Sequence, residues 1–401
     1  MKNTYKNLKR RGIAVMKFSF YLPTRIEYGM GIVSGLANEA RILGIKRALI
    51  VTDKGIMTVG LDKAITEQLK RDKIEYEIYS EVGTNPPIEN VIRGIDIYKE
   101  FRADGMIALG GGSSMDVAKS IGVVITNGGS IEEYEVGIKE IEKEIPPLIT
   151  IPTTAGTGSE VTEDAVITDA ERKLKMLISS FKICPALALV DPMLTKSMSP
   201  GLTAATGLDA LSHSIEAYVS VRSEPFTNAL AIHSIALIGK YIRKAVSNGD
   251  NLEARDKMMA GSLLAGVAQK AGCGAIHTIA HALSAHTNIH HGIACALLLP
   301  TVSGFNLSSC PDRYSDIAHA LGKPITGSIE QDAFQAVSAL KELLIDLKVP
   351  SLSKTGIEES MIPTIAESAA NDRAGMRANP CKIERVEIEK ILMNSYSLLD
   401  S

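Results

Sequence analysis

The 401-residue chain lacks a basic surplus: 43 Lys and Arg stand against 46 Asp and Glu, a formal net charge of −3. Binding a phosphate backbone needs a basic excess on at least one face, so no nucleic-acid partner is expected. The most basic stretch, Lys6 to Arg11, is short. There is no CxxC pair, and the five cysteines (Cys184, Cys273, Cys295, Cys310, Cys381) are scattered and odd in number. They offer no disulfide framework and suit a reducing cytoplasm, the compartment expected here. No apolar run reaches bilayer-spanning length, and none follows the basic N-terminus, so neither a membrane span nor a secretory signal is expected. Low-complexity tracts, a convincing internal repeat and a G-x-G-x-x-G fingerprint are also missing. Histidine is absent from the first 200 residues, although the chain has eight.

At the extreme N-terminus, Arg10-Arg11 stands a few codons before Met16. An in-frame AGGAGG ribosome-binding sequence would be translated as such a pair. Met16 is therefore the expected native start, with residues 1–15 a disordered leader; a genuine N-terminal tail is the alternative.

The length calls for two domains. In the first half, β-branched runs at 48–52, 105–109, 148–151 and 186–190 read as buried strands. Amphipathic stretches at 62–70 and 88–102 lie between them. This alternation predicts an α/β domain, a parallel sheet flanked by helices, whose strand ends carry the ligand. The charged run 132–144 reads as a solvated loop or helix face. Beyond Ser199-Pro200 strand signals nearly vanish and Ala/Leu/Met/Ile-rich stretches take over at 208–220, 225–247 and 252–269. The expected organisation is a dinucleotide-binding domain over 16–198 and an all-helical catalytic domain over 199–401.

Three signals point to a dinucleotide. Gly110-Gly111-Gly112-Ser113-Ser114 follows an apolar strand and opens a helical stretch ending near Ile125. Adjacent glycines let a diphosphate approach the backbone, and a helix N-terminus offers free N–H groups. A plain strand-to-helix turn is the bland alternative. Asp53 ends the 48–52 strand, where a carboxylate can bind both ribose hydroxyls and repel a 2′-phosphate, favouring NAD over NADP. A helix cap is the competing role for it. The run Pro152-Thr153-Thr154-Ala155-Gly156-Thr157-Gly158 has hydroxyls and little bulk, which suits a flat ring and a diphosphate.

The histidines point to a metal. Asp209 and His213 are spaced i, i+4, as are His277 and His281, so each pair leaves one helix face. His291-Gly292 follows a break at Thr287-Asn288 and starts a further helix. A carboxylate and imidazoles converging from several helices suit Fe(II), Zn(II), Mn(II) or Co(II). With no thiolate in the set, a structural zinc site is not expected. His233 and His319 lie in amphipathic stretches and read as structural residues. His281 fits a fifth ligand, a supporting residue or a proton carrier. His286 and His290 flank the last ligand and can face a substrate.

Taken together, the motifs resemble the iron-containing (group III) alcohol dehydrogenases, within the NAD-dependent methanol, 1,3-propanediol and lactaldehyde reductase branch. They run from about Phe18 through 48–53, Asn85-Pro86-Pro87, 110–119, 152–162, 165–169, Asp191-Pro192, 207–218 and Leu297-Leu298-Leu299-Pro300. The resemblance implies a metal, Fe(II) before Zn(II) or Mn(II), on Asp209, His213, His277 and His291, with His281 relaying the proton. It implies NAD(H) contacts at Asp53, Asn85, Gly111, Gly112, Ser113, Ser114, Thr153, Thr154, Thr157 and Lys175, and a homodimer or higher homo-oligomer. The expected reaction interconverts a small primary alcohol and its aldehyde. Ile289-His290-His291-Gly292 departs from the usual Pro-His-Gly, and Asp372, Arg373 and Arg377 precede Asn379-Pro380-Cys381 where Asn-Pro-Arg is commoner. These extra polar groups raise an anionic sulfo- or carboxy-aldehyde as the alternative substrate, with His286 and His290 as pocket residues. A dehydroquinate synthase-like lyase would need a basic phosphate pocket, and no matching cluster is present. A non-catalytic scaffold would predict broken ligands, and all four are present.

Overall fold

The computed structural model describes residues 17–287, 289–372 and 375–400. The expected leader, Asn288 and Arg373 lie outside them. Six parallel strands form one sheet: β1 (Arg25–Tyr28), β2 (Arg47–Val51), β3 (Glu75–Tyr79), β4 (Gly105–Gly110), β5 (Leu148–Pro152) and β8 (Leu187–Val190), in the order β1-β8-β5-β4-β2-β3. The four expected strands are those buried on both faces. In β4 and β5 every residue is buried, which is why they read as unbroken apolar runs. Alternate residues serve opposite faces: Ala48, Ile50, Ile107 and Leu109 pack into one core cluster, while Leu49, Val51, Met106 and Ala108 pack into another.

On these faces lie α1 (Leu36–Ile42), α2 (Lys54–Val59), α3 (Leu61–Arg71), α4 (Ile88–Phe101) and α5 (Gly112–Asn127). An antiparallel hairpin, β6 (Asp164–Asp169) with β7 (Leu174–Ser179), stands apart from the main sheet. The charged run 132–144 is mostly loop, entered through a short 3-10 turn at Ile131–Tyr134 that Ser130 and Glu133 cap reciprocally. The chain passes from β2 outward to β3, then returns across β2 to β4. Such a reversal opens a crevice at the carboxyl ends of β2 and β4.

Among the described residues no strand follows β8. α6 (Pro200–Val219) starts two turns before the expected 208. Ser199 accepts from the Leu202 amide and Pro200 takes the first helical position, a strong start signal. α7 (Pro225–Ser247), α8 (Leu252–Ala268), α9 (Ala275–His286) and α10 (His291–Asn306) follow, then α11 (Pro311–Ala320), α12 (Ile329–Asp346), α13 (Ile362–Asn371) and α14 (Arg385–Tyr396). One correction concerns membrane length. His291–Ser309, 19 residues, is long and apolar enough to cross a bilayer, yet 67% of that window is buried inside the molecule. It is the central helix of the helical core, packed against α6, α9, α12 and α14.

Candidate active site

The reversal of strand order brings Asp53 and the glycine turn together. Gly110 has φ 152°, and a Cβ there would lie 2.6 Å from Ser114 Oγ and 3.4 Å from Asp53 Oδ2. A Cβ on Gly111 would meet Thr154 Oγ1 at 3.3 Å, and one on Gly112 would meet Thr157 at 2.9 Å. The Thr153 amide donates to the Gly110 carbonyl at 2.9 Å. Gly111 to Ser114, Thr153, Thr154 and Thr157 thus share one small-residue surface. α5 begins there with no side-chain cap, leaving its first amides available to an anion. Asp53 does serve as a cap: Oδ1 accepts from the Ile56 amide at 3.0 Å. Its Oδ2 is the oxygen turned toward Gly110.

Asn85 and Lys175 meet beside this surface. The Lys175 ammonium donates to Asn85 Oδ1 at 2.7 Å, and Thr168 on β6 donates its amide and hydroxyl to the carbonyls of Pro86 and Asn85 at 2.8 and 3.1 Å. Burial lowers the Lys175 pKa to about 8, against the attraction of Cys295, Asp116 and Asp209.

The second constellation lies in the helical half. α6 supplies Asp209 and His213, α9 supplies His277 and His281, and α10 opens with His291. Asp209 Oδ1 stands 3.7 Å from both His277 Nε2 and His291 Nε2. The His213 ring stacks on His277 with centroids 4.0 Å apart, and the His281 ring lies 5.2 Å from that of His291. Four buried atoms here have no hydrogen-bond partner: Asp209 Oδ1, His213 Nδ1, His277 Nε2 and His291 Nδ1. Buried polar atoms are nearly always partnered. Each of the four expected ligands carries one such atom, Asp209 Oδ1 lies near His277 Nε2 and near the other ring nitrogen of His291, and a carboxylate grouped with imidazoles fits a divalent cation.

The electrostatics agree. Burial, helped by the neighbouring His277, lowers the His213 pKa to about 3. Burial and the Lys175 charge take His281 and His291 well below the ordinary imidazole value. These three imidazoles are neutral and keep a lone pair for a metal, whereas His277 is the exception: burial lowers it, but the neighbouring Cys273, Cys295 and Asp209 outweigh that and raise it well above the ordinary value. Burial alone would raise Asp209, but the imidazoles around it outweigh that and hold it ionised.

Sequence reasoning missed two residues here. Glu216 on α6 takes the Ile276 amide at 2.6 Å on one oxygen and His277 Nδ1 at 2.6 Å on the other. A carboxylate accepts, so Nδ1 carries the proton and the lone pair sits on Nε2. Glu216 lies seven residues after Asp209, two turns along the same face, a signal available in the sequence. Cys295, fully buried, brings its sulfur within 4.8 Å of donor atoms of Asp209, His277 and His291. Burial pushes its thiol up to about 12. His213 falls outside that close group and makes another with Cys273 and His277. His286 and His290 belong to neither; His290 instead caps α10, its Nδ1 accepting from the Gly292 amide at 3.2 Å. Arg377 is exposed. His319 is held by Asp332 at 3.1 Å, as a structural residue should be, and His233 is exposed on α7.

Comparison with known proteins gives this geometry a lineage. The chain is 38% identical to the NAD-dependent methanol dehydrogenase of Bacillus methanolicus over 380 residues, covering 94% of this chain and 99% of the relative. It is 39% identical to the choline dehydrogenase of Bacillus subtilis (strain 168) over 364 residues, 90% of each. A crystal structure of a 1,3-propanediol oxidoreductase superposes with TM-score 0.92 at 37% identity, covering 95% of this chain and all of that one. The family model for iron-containing alcohol dehydrogenase matches residues 23–192, and that for the C-terminal part of the Fe-containing alcohol dehydrogenase family matches 203–396. The chain belongs to the iron-containing alcohol dehydrogenase family.

Proposed function

We propose that the protein interconverts a small primary alcohol and its aldehyde, with NAD(H) at the glycine turn and one divalent cation on Asp209, His213, His277 and His291. The observation that carries this is the set of four unpartnered buried donors. The cation supplies a Lewis acid for the substrate oxygen, and NAD(H) supplies the hydride acceptor or donor. Fe(II) is the ion that the family resemblance implies.

The chain's own residues do the rest. The uncapped start of α5 holds the diphosphate, and Gly111 and Gly112 leave room for it beneath Thr154 and Thr157. Asp53 Oδ2 takes the ribose hydroxyls and selects NAD over NADP. The Lys175–Asn85 pair braces the far side of the cofactor. Glu216 orients His277. His281, half-buried and neutral beside His291, moves the alcohol proton to and from solvent. A division near residue 198, a homo-oligomer and a cytoplasmic location complete the proposal. The anionic-aldehyde alternative is not better supported than this reading, since one of its two pocket residues, His290, is engaged in capping α10.

The test is the NADH absorbance change with neutral and anionic small aldehydes, before and after EDTA and with NADPH in place of NADH. Aldehyde-dependent oxidation of NADH that EDTA abolishes is expected. Turnover that survives complete metal removal would refute the metal's role.

A further inference from the structure

The loop 153–158, which carries the cofactor-side threonines, is gripped from the helical half. Just past the end of α8, the Gln269 side chain donates through Nε2 to the Thr157 carbonyl at 2.9 Å. Beside it Gly158 and Gly266 meet backbone to backbone, and a Cβ on either would run into the Cα of the other. Lys270 pairs with Glu163 a few residues beyond the loop. Thr206 on α6 closes another side: a Cβ on Gly156 would come 2.7 Å from the Thr206 Cβ and 2.9 Å from its carbonyl oxygen. Thr206 stands three residues before Asp209, on the same face of α6. Gly112, at the start of α5, takes the remaining side of Thr157. A loop packed this closely cannot shift without α6 and α8. By chain order it belongs to the dinucleotide half, yet it is fastened to the helices beside the metal site.

We propose that Gln269 is a positioning residue: it sets the loop 153–158 for the cofactor's diphosphate and, with the Gly158–Gly266 contact, makes NAD(H) and the metal bind reciprocally. A diphosphate seated beneath Thr154 and Thr157 holds the loop against α6 and α8. Asp209 and the imidazoles, sharing a cation, tie α6 to α9 and α10 and so fix the same surface from behind. Either ligand orders what the other needs, and the second to arrive has less ordering left to do. Linkage then requires the same factor in both directions. The inference rests on the cofactor and metal sites of the proposed function.

The test uses Zn(II) as the metal probe and ADP-ribose as the cofactor probe, because ADP-ribose reaches the loop without bringing a nicotinamide to the metal. In wild type the calorimetric Kd of ADP-ribose should fall about tenfold once Zn(II) is loaded, within the roughly 5–150-fold range usual for coupled sites. The Kd of Zn(II), from chelator competition, should fall by the same factor at saturating ADP-ribose. Gln269→Glu keeps the shape but turns an acceptor toward the Thr157 carbonyl, and Gln269→Met removes the donor without adding charge. Both should bring the factor to about one while each ligand still binds. Amide exchange over 153–158 should slow in wild type with either probe, and in the variants with ADP-ribose alone. A factor of about one in wild type overturns the proposal and leaves both sites standing. Full coupling in both variants overturns the role of Gln269. Coupling seen with NADH but not with ADP-ribose assigns it to direct contact at the metal and overturns it as well. Failure of the wild type to bind Zn(II) or ADP-ribose at all overturns the proposed function instead.

Discussion

Two buried polar clusters, one in each half of the chain, are built from similar groups and finished in opposite ways. Behind the glycine turn, Lys119 is wholly buried on α5. Its ammonium donates to Ser159 Oγ (3.0 Å), the Thr162 carbonyl and hydroxyl (3.0 and 3.2 Å) and the Asp164 carbonyl (2.7 Å). Asp116 accepts from Ser159 Oγ at 2.7 Å and the Val166 amide at 3.1 Å. Among α6, α9 and α10, by contrast, Asp209 Oδ1, His213 Nδ1, His277 Nε2 and His291 Nδ1 have no hydrogen-bond partner. The first cluster uses its hydrogen-bonding capacity on itself and fixes the loop that carries Thr153, Thr154 and Thr157. The second keeps lone pairs for something that comes from outside. A satisfied network is scaffold, and an unsatisfied one is a site.

Substitutions separate the two. The largest effect is expected from Asp209→Asn, which removes the one anionic donor of the open cluster. Bound metal, measured by elemental analysis, should fall to background and turnover with it, while the fold survives because no hydrogen bond to Oδ1 is lost. Retention of full metal would break the comparison. Lys119→Met should do the reverse. It strips several buried groups of their donor, at a cost of about 3–5 kcal/mol in unfolding free energy, the scale for breaking a buried ionic network. Denaturant titration measures that loss, and the folded fraction should still bind one metal per chain. His281→Ala, next in size, should leave the metal in place and slow turnover ~10²-fold, about 2.7 kcal/mol of barrier. Equal loss of metal would make His281 a ligand instead.

How legible each half was follows from the same physics. β4 and β5 announce themselves because helices cover both faces, so every side chain is apolar. β1 and β3 do not, because at the sheet's edges all their side chains but Tyr79 are exposed or half-buried, with Arg25, Glu27, Glu75 and Glu77 among them. The β6–β7 hairpin went unread as strand for a similar reason. The Asp209/His213 and His277/His281 pairs were visible at helical spacing. Cys295 follows His291 at that same spacing, but one of five scattered thiols gave no reason to choose it. Glu216 serves His277 across 61 residues, a relation that only the packing of α6 against α9 creates. Asp53 shows the limit most plainly. Its capping of α2 is local and readable, whereas its claim on a ribose depends on a fold that brings β2 beside β4.

The smallest expected effect tests whether the closed cluster is truly closed. Glu160 is its exception: 2% exposed, with Oε1 unpartnered. Burial raises its pKa from 4.5 to about 7, opposed by a backbone hydrogen bond and the Lys119 charge. Below pH 4.5 the carboxyl is protonated folded or unfolded, and its contribution to stability is fully present. Between 4.5 and 7 the unfolded chain gives up its proton first, so that contribution drains away as the pH rises. Between pH 5 and pH 8 the loss is roughly 2.5 kcal/mol, complete once the folded carboxyl also ionises. Glu160→Gln keeps the shape and removes the proton. In urea unfolding at pH 5 and pH 8, the variant should therefore lose less stability than wild type over the interval. If the two decline in parallel, Glu160 is ionised throughout and belongs with Lys119 in the network. The scaffold would then hold an ion pair rather than a neutral acid beside a self-satisfied lysine.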